Sequence, residues 1–303
     1  MIGTKLDRIF VPTDFSETAS HAMKYASSLA DRLGATLTVA YCDRFLPPID
    51  YTAMVGAWDD TCLAELKARA EEQVQRDAEA NIDPAVPFDT LVRVAAPIDG
   101  ITDQARQSGA ALIVMGTHGR TGFRRIVIGS VTEGVMRTAE VPVIAVAPRS
   151  STTSLMKTII CPVIYNPQCH EALTLAERIA PPDARFILIR PAPADDCAHP
   201  GDDLLALSAW VPQAIANRFE VKMFGNGHMA KQIEFFAKSV HADLIVAAEP
   251  APRSAADMLH GTFAERLVRH AACPVLTVNA SAEIVAARVG QEEERTVPMW
   301  ANQ

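Results

Sequence analysis

The chain has 303 residues, 49% of them hydrophobic, with 28 Lys and Arg against 36 Asp and Glu, giving a net charge of −8. That length and apolar content suit two domains with proper cores and exclude a disordered chain. The acidic balance argues against nucleic acid, whose phosphates need a basic face, and an aromatic content of 6% fits helices packed on buried sheets better than an all-β shell.

Near the start, Lys5, Asp7 and Arg8 interrupt any apolar stretch of the kind a signal peptide needs. A strand is predicted at Arg8–Val11. The helix that follows is the clearest in the chain: Ala19, Ala22, Met23, Ala26, Leu29, Ala30 and Leu33 keep the three-and-four spacing of one buried face, and Gly34 ends it. A strand at Thr36–Tyr41 leads into an unusually apolar connection from Phe45 to Trp58, read either as a lid or intermolecular contact or as packing on the domain's own sheet. Helices at Thr61–Ala80, Ile98–Ser108 and Ser130–Thr138 then alternate with strands at Thr90–Val94, Leu112–Met115 and Val143–Ala147, the order of a doubly wound parallel sheet. Pro148 to Ser154 has the composition of a linker.

Beyond the linker the scheme repeats. Arg8-Ile9-Phe10-Val11-Pro12 is echoed by Thr158-Ile159-Ile160-Cys161-Pro162, an offset of 150. Leu112-Ile113-Val114 is echoed by Leu244-Ile245-Val246, and Val141-Pro142-Val143-Ile144 by Cys273-Pro274-Val275-Leu276, both offset by 132. The second copy is therefore shorter in its middle, with helices expected at His170–Ile179, Leu204–Asn217, Ala230–Ser239 and Thr262–His270. The expected organisation is one domain at 1–150, a second at 151–280 and a charged tail at 281–303, to which no function is assigned. Val143–Val146 and Val275–Val278 are apolar edge strands that would aggregate if left bare, covered either by pairing within the chain or by the tail. Apolar runs such as Ala110–Gly116 fall far short of the roughly 20 residues of a membrane span, so no membrane partner and a cytoplasmic location are expected. The six cysteines form no C-x-x-C pair, and Cys169-His170 and Cys197-Ala-His199 complete no four-ligand pattern, so reduced thiols and no metal are expected.

The informative segment runs from Met115-Gly116-Thr117-His118-Gly119-Arg120-Thr121-Gly122 to Gly129-Ser130-Val131-Thr132. It follows an apolar strand and ends at a helix start, so its glycines can bring backbone N–H groups to a ligand while the helix N-terminus adds partial positive charge. That is an anion cradle. With this spacing, with Val11-Pro12-Thr13-Asp14 after the first strand and with Val141-Pro142-Val143 entering the fifth, the chain resembles the universal stress protein family in a tandem two-domain form. The resemblance implies an α/β fold of two open, Rossmann-like sheets of the adenine nucleotide alpha hydrolase type, each five-stranded, parallel and flanked by helices. It also implies ATP as ligand, with an accompanying Mg²⁺ left open. Asp14, beside Pro12 and Thr13, would hold the ribose or adenine and Tyr41 would lie against the ring, while Gly116, His118, Gly119, Gly129, Ser130, Val131 and Thr132 would surround the phosphates, with Met115 and Arg120 also among the nucleotide-binding residues.

Plainer readings stand beside several of these. Asp14 also suits a turn or cap ahead of Ser16. Ser130-x-x-Glu133 reads as a capping box, repeated by Thr262-x-x-Glu265. His118 suits an exposed loop, and Arg120, Arg124 and Arg125 a solvated face. In the second copy Gly116 becomes Ala248, Gly119 becomes Ala251, Asp14 becomes Ile164, and Pro250 and Pro252 enter the loop, while Gly129-Ser130 survives as Gly261-Thr262. Added Cβ atoms and lost N–H donors point to a degenerate second site. The leading function is a non-enzymatic ATP-binding stress regulator with a protein partner left unidentified and a homodimer left open. A slow ATP hydrolase is the rival, without a P-loop to support fast turnover. A nucleotide-free chaperone or interaction module is the third reading.

Overall fold

The structure is a computed structural model that describes residues 5–45, 60–118, 128–148, 150–153, 156–191, 206–225, 228–249 and 262–279. In the first half the elements run β1 (Arg8–Pro12), α1 (Glu17–Leu33), β2 (Thr36–Asp43), α2 (Asp60–Asn81), β3 (Phe88–Val94), α3 (Pro97–Gln107), β4 (Leu112–Gly116), α4 (Ser130–Thr138) and β5 (Val143–Val146). The second half continues with β6 (Thr158–Pro162), α5 (Pro167–Ile179), β7 (Arg185–Pro191), β8 (Phe219–Phe224), α6 (Met229–Ser239), β9 (Leu244–Glu249), α7 (Phe263–His270) and β10 (Val275–Asn279).

All ten strands form one sheet in the order β3-β2-β1-β4-β5-β10-β9-β6-β7-β8. Within each half every neighbouring pair is parallel, β1 aligning Arg8 with Thr36 of β2 and β6 aligning Thr158 with Arg185 of β7. The halves join where β5 meets β10 antiparallel, Ile144 opposite Leu276. Val143 to Val146 are fully buried there, so two strands that would be bare edges in separate domains close each other.

Alternation along the strands sends side chains to two layers. Ile9, Val11, Leu37, Val39, Leu112 and Val114 face α1 and α2, in a core that continues without a break through Ile144 and Leu276 into Ile159, Phe186 and α5. Phe10, Ala40, Ile113 and Val143 face the opposite way, toward α3 and α4, and meet Ile160, Ile245, α6 and α7. Helix α1 keeps its periodicity: Ala22, Met23, Leu29 and Ala30 are buried, Ser16 caps its start, and Gly34 closes it at φ 64°, the left-handed conformation that glycine adopts without a Cβ clash.

The helix expected over Leu204–Asn217 is not continuous. Residues 206–210 are helical, the chain bends at Val211-Pro212, and a single 3-10 turn covers Gln213–Ile215. Pro212 has no N–H to continue the ladder and biases Val211 away from helical ψ, so the helix ends with Val211 N donating to Leu207 O at 2.9 Å. Of the connection from Phe45 to Trp58 only Phe45 lies within the described residues. Among the described residues no helix is long and apolar enough to cross a membrane, no group of side chains forms a metal cluster, and Cys42, Cys62, Cys161, Cys169 and Cys273 are free thiols.

Candidate functional site

Between β1 and β4 the strand order reverses, and a crevice opens there beyond the carboxyl ends of the strands, the place where open α/β sheets receive ligands. The cleft has a volume of about 340 Å³. Its wall is made by Pro12, Thr13 and Asp14 leaving β1, Tyr41, Cys42 and Asp43 ending β2, Met115, Gly116 and His118 ending β4, and Gly129 to Thr132 starting α4, with Ala19 of α1 and Pro97 and Ile101 of α3 completing it. Every residue expected at the site within the described range lines this one cleft. Gly119 and Arg120, with Arg124 and Arg125, lie outside the described residues.

The β1 exit is tightly tied. Thr13 donates its hydroxyl proton to Asp77 Oδ2 of α2 at 2.9 Å and accepts from Phe15 N at 3.0 Å. Asp14 Oδ1 accepts from Ser16 N at 3.1 Å, so the turn reading of Asp14 holds together with its place in the cleft wall. Phe15 takes φ 63°, a region bulky residues rarely occupy, and its ring sits 4.7 Å from that of Tyr41. Tyr41 donates to Asp43 Oδ2 at 2.6 Å while Asp43 Oδ1 accepts from Phe45 N at 2.9 Å. Asp43 thus fixes the tyrosine at the rim.

At the other end, Gly116 is required by packing. A Cβ there would stand 2.7 Å from Thr18 O, at the first turn of α1. The Thr18 hydroxyl donates to the carbonyl of His118, His118 Nδ1 and the Thr117 hydroxyl lie 2.8 Å apart, and Thr132 donates from its hydroxyl to Gly116 O at 2.8 Å. The strand end, the glycine loop and two helix starts are therefore locked to one another.

The capping box expected at Ser130 and Glu133 does not form. Gly129 takes the cap position with no side-chain cap bond, and Glu133 turns away to accept from Arg137 Nη2 at 2.7 Å. The glycine supplies extended backbone one residue early, which makes Ser130 the first helical residue. The first-turn N–H groups of α4, which have no partner inside a helix, are left without a side-chain cap beside the cleft. Its chemistry suits a ligand with hydroxyl groups at the Asp14 end and an anion at the α4 end.

The sequence did not single out Cys42, Asp43, Pro97, Ile101 or Ala19. The β2 pair directly follows Tyr41, which was the available signal; Pro97 and Ile101 arrive only through the packing of α3. Burial pushes the Cys42 thiol up to about 11, a rise that Arg93 partly opposes.

The matching place in the second half is built differently. Ile164, 57% exposed, stands where Asp14 does, and Tyr165 stands where Phe15 does. Arg190, opposite the position of Tyr41, lies 4.6 Å from the centre of the Tyr165 ring and donates to its hydroxyl at 2.9 Å, and Trp210 meets the same ring edge-on at 5.4 Å. At α7 the capping box is complete: Glu265 N donates to Thr262 Oγ1 at 3.2 Å, and Thr262 N donates to Glu265 Oε2 at 3.1 Å. Pro250, Ala251, Pro252 and Gly261 lie outside the described residues.

Known proteins match this arrangement. The universal stress protein family model fits the chain twice, over residues 5–147 and 156–279. A universal stress protein of Methanocaldococcus jannaschii is 32% identical over 140 residues, 46% of this chain and 81% of that protein. A second one from the same organism is 25% identical over 156 residues, 48% of this chain and 96% of its own length. The crystal structure of a universal stress protein from Archaeoglobus fulgidus shares the fold with a TM-score of 0.65 at 19% identity, covering 93% of this chain and all of that one. With both halves matched by the one family and folded into its open α/β sheet, the chain belongs to the universal stress protein family.

Proposed function

We propose that the chain is a nucleotide-binding stress regulator that takes one ATP in the cleft of the first half. One observation carries the reading: the carboxylate-bearing exit of β1 and the uncapped start of α4 open into a single cleft. Asp14 would accept hydrogen bonds from ribose hydroxyls, Tyr41 would lie against the base, and Gly129, Ser130 and the first-turn N–H groups of α4 would receive the phosphates, with Gly119 and Arg120 from the adjoining loop.

Regulation rather than turnover is favoured by the placement of acids. Among the described residues lining the α4 end of the cleft none carries a carboxylate, and both oxygens of Asp43 accept bonds from Tyr41 and Phe45. No carboxylate among the described residues is thereby placed to activate water at the phosphates. The second half supports a degenerate reading, since Ile164 replaces the acid and Glu265 occupies the helix start.

Calorimetric titration of nucleotide-stripped protein with ATP and Mg²⁺ tests this. One site per chain is the expected result. No heat at millimolar ATP would overturn the nucleotide reading, and phosphate release that scales with protein and disappears in Asp14→Ala would replace the regulator with a slow hydrolase.

A further inference from the structure

Helix α4 both shapes the cleft and is tied to the second half by charged and polar side chains. Its Arg137 donates from Nε to Glu265 Oε1 at 2.6 Å and from Nη2 to Glu265 Oε2 at 3.1 Å, while the same Nη2 reaches Glu133 Oε1 at 2.7 Å. Glu265 belongs to α7 and is 1% exposed, whereas Arg137 is partly open to solvent. A two-pronged contact with a buried carboxylate fixes the guanidinium, and Glu265 raises the arginine's pKa through that hydrogen bond. A second tie comes from Asn279 of β10, which donates to Met136 O at 2.7 Å and Ala139 O at 2.9 Å at the end of α4.

The repeat makes the arrangement one-sided. By the offset of 132, Glu133 corresponds to Glu265, Arg137 to Arg269 and Ala147 to Asn279. Glu265 folds back on its own helix start. Among the described residues the buried Nε of Arg269 has no hydrogen-bond partner, and Ala147 has no side-chain donor. Of the two matching glutamates, Glu133 is drawn toward the arginine one turn further along its own helix, whereas Glu265 meets that same arginine from across the joint and keeps its cap bond.

We propose that Arg137, anchored on Glu265 of the second half, is a positioning residue that keeps the Glu133 carboxylate away from the start of α4 and so holds the anion end of the cleft open. Without it, Glu133 is released to fold back onto the first-turn N–H groups as Glu265 does, placing a negative charge where phosphates are received. The half with no acid of its own at the β1-type exit thereby serves the half that has one. The inference rests on the nucleotide reading given above.

The test is to titrate the unaltered chain, Arg137→Ala, Glu133→Ala and the Arg137→Ala/Glu133→Ala double variant with ATP and, separately, with adenosine, after checking folding by circular dichroism. Arg137→Ala is expected to weaken ATP binding by about tenfold, the scale of one charge at a helix terminus, and to leave adenosine binding unchanged. Removing Glu133 as well is expected to restore ATP affinity, which a purely structural role of Arg137 would not do. Should Arg137→Ala fail to fold, Arg137→Gln retains a donor toward Glu265 and reads the same effect. Glu265→Gln, which keeps an acceptor for the α7 cap but loosens the anchor, is expected to shift the preference for ATP over adenosine in the same direction. Unchanged ATP affinity in the Arg137 variants, equal losses for ATP and adenosine, or no recovery in the double variant would overturn the inference alone. No shift in Glu265→Gln would overturn the part assigned to the second half. No ATP binding by the unaltered chain would overturn the nucleotide reading and this inference with it.

Discussion

Ser130-Val131-Thr132-Glu133 and Thr262-Phe263-Ala264-Glu265 stand at matching places in the repeat, yet they start their helices in opposite ways. At α7 the hydroxyl and the carboxylate satisfy the helix start between themselves. At α4 the cap passes to Gly129, the hydroxyl makes no cap bond, and the carboxylate is taken by Arg137. A Ser/Thr-x-x-Glu string therefore closes as a cap or leaves its helix start without a side-chain cap according to which residue takes the cap position and from which side the arginine meets the glutamate. Glu265 makes both contacts at once, two bonds from Arg137 and one from Thr262 N, whereas Glu133 is met by Arg137 from the C-terminal side, away from its helix start.

The largest effect expected from this contrast is at Gly116. Gly116→Val forces a side chain against Thr18 O and is expected to abolish ATP binding and to cost about 1–3 kcal/mol of stability, read by calorimetry and thermal unfolding. The reverse change in the other half, Ala248→Gly, should create no ATP site and cost about 0.5–1 kcal/mol. A gain of binding there would break the comparison.

Next in size is Asp14→Asn, which keeps the acceptor for Ser16 N and removes the charge. A loss of about 1.5 kcal/mol in ATP binding is expected from the weakened bonds to the ligand hydroxyls, and unchanged affinity would remove Asp14 from the site. Ile164→Asp should confer nothing on the second half.

The two caps give a crossed pair. Thr262→Ala is expected to cost about 1 kcal/mol of stability with little change in ATP binding, whereas Ser130→Ala should stay within about 0.5 kcal/mol in stability and weaken ATP measurably. Parallel behaviour of the two variants in both measurements would show that the helix starts do the same work.

The smallest effect concerns Cys42. With its thiol pushed up to about 11 by burial, it stays protonated at pH 8, so alkylation there should be slow, quicken as the pH approaches that value, and be slowed further by ATP. Mass spectrometry of the modified chain reads each step.

Much of the fold was legible because its signals are local. The Ala19-to-Leu33 stripe, Gly34 and the short apolar runs each fix an element from within a few residues, and all four helices of the first half lie where the spacing places them. The helix expected from apolar spacing over Leu204–Asn217 is interrupted at Pro212, a breaker visible in the same string. The Asp14 and glycine motifs meet in the wall of one cleft, since each ends a strand that a parallel sheet must bring side by side. Pro97 and Ile101 were out of reach because only packing carries α3 there. The contact of Arg137 with Glu265 spans 128 residues, and no local pattern announces such a bond.

The pairing of β5 with β10 sets the terms on which the chain folds. Thr277 meets Val143 across a separation of 134 residues, so the joint closes only after both halves have formed most of their local contacts, which makes it a slow, late step. Until then each half shows an unpaired apolar edge. The β10 of one copy finds on another copy the same β5 it would find at home, and exchange between chains competes with closure within one. Refolding at rising protein concentration is therefore a contest between an intramolecular closure and an exchanged dimer built from identical contacts, and dilution decides it.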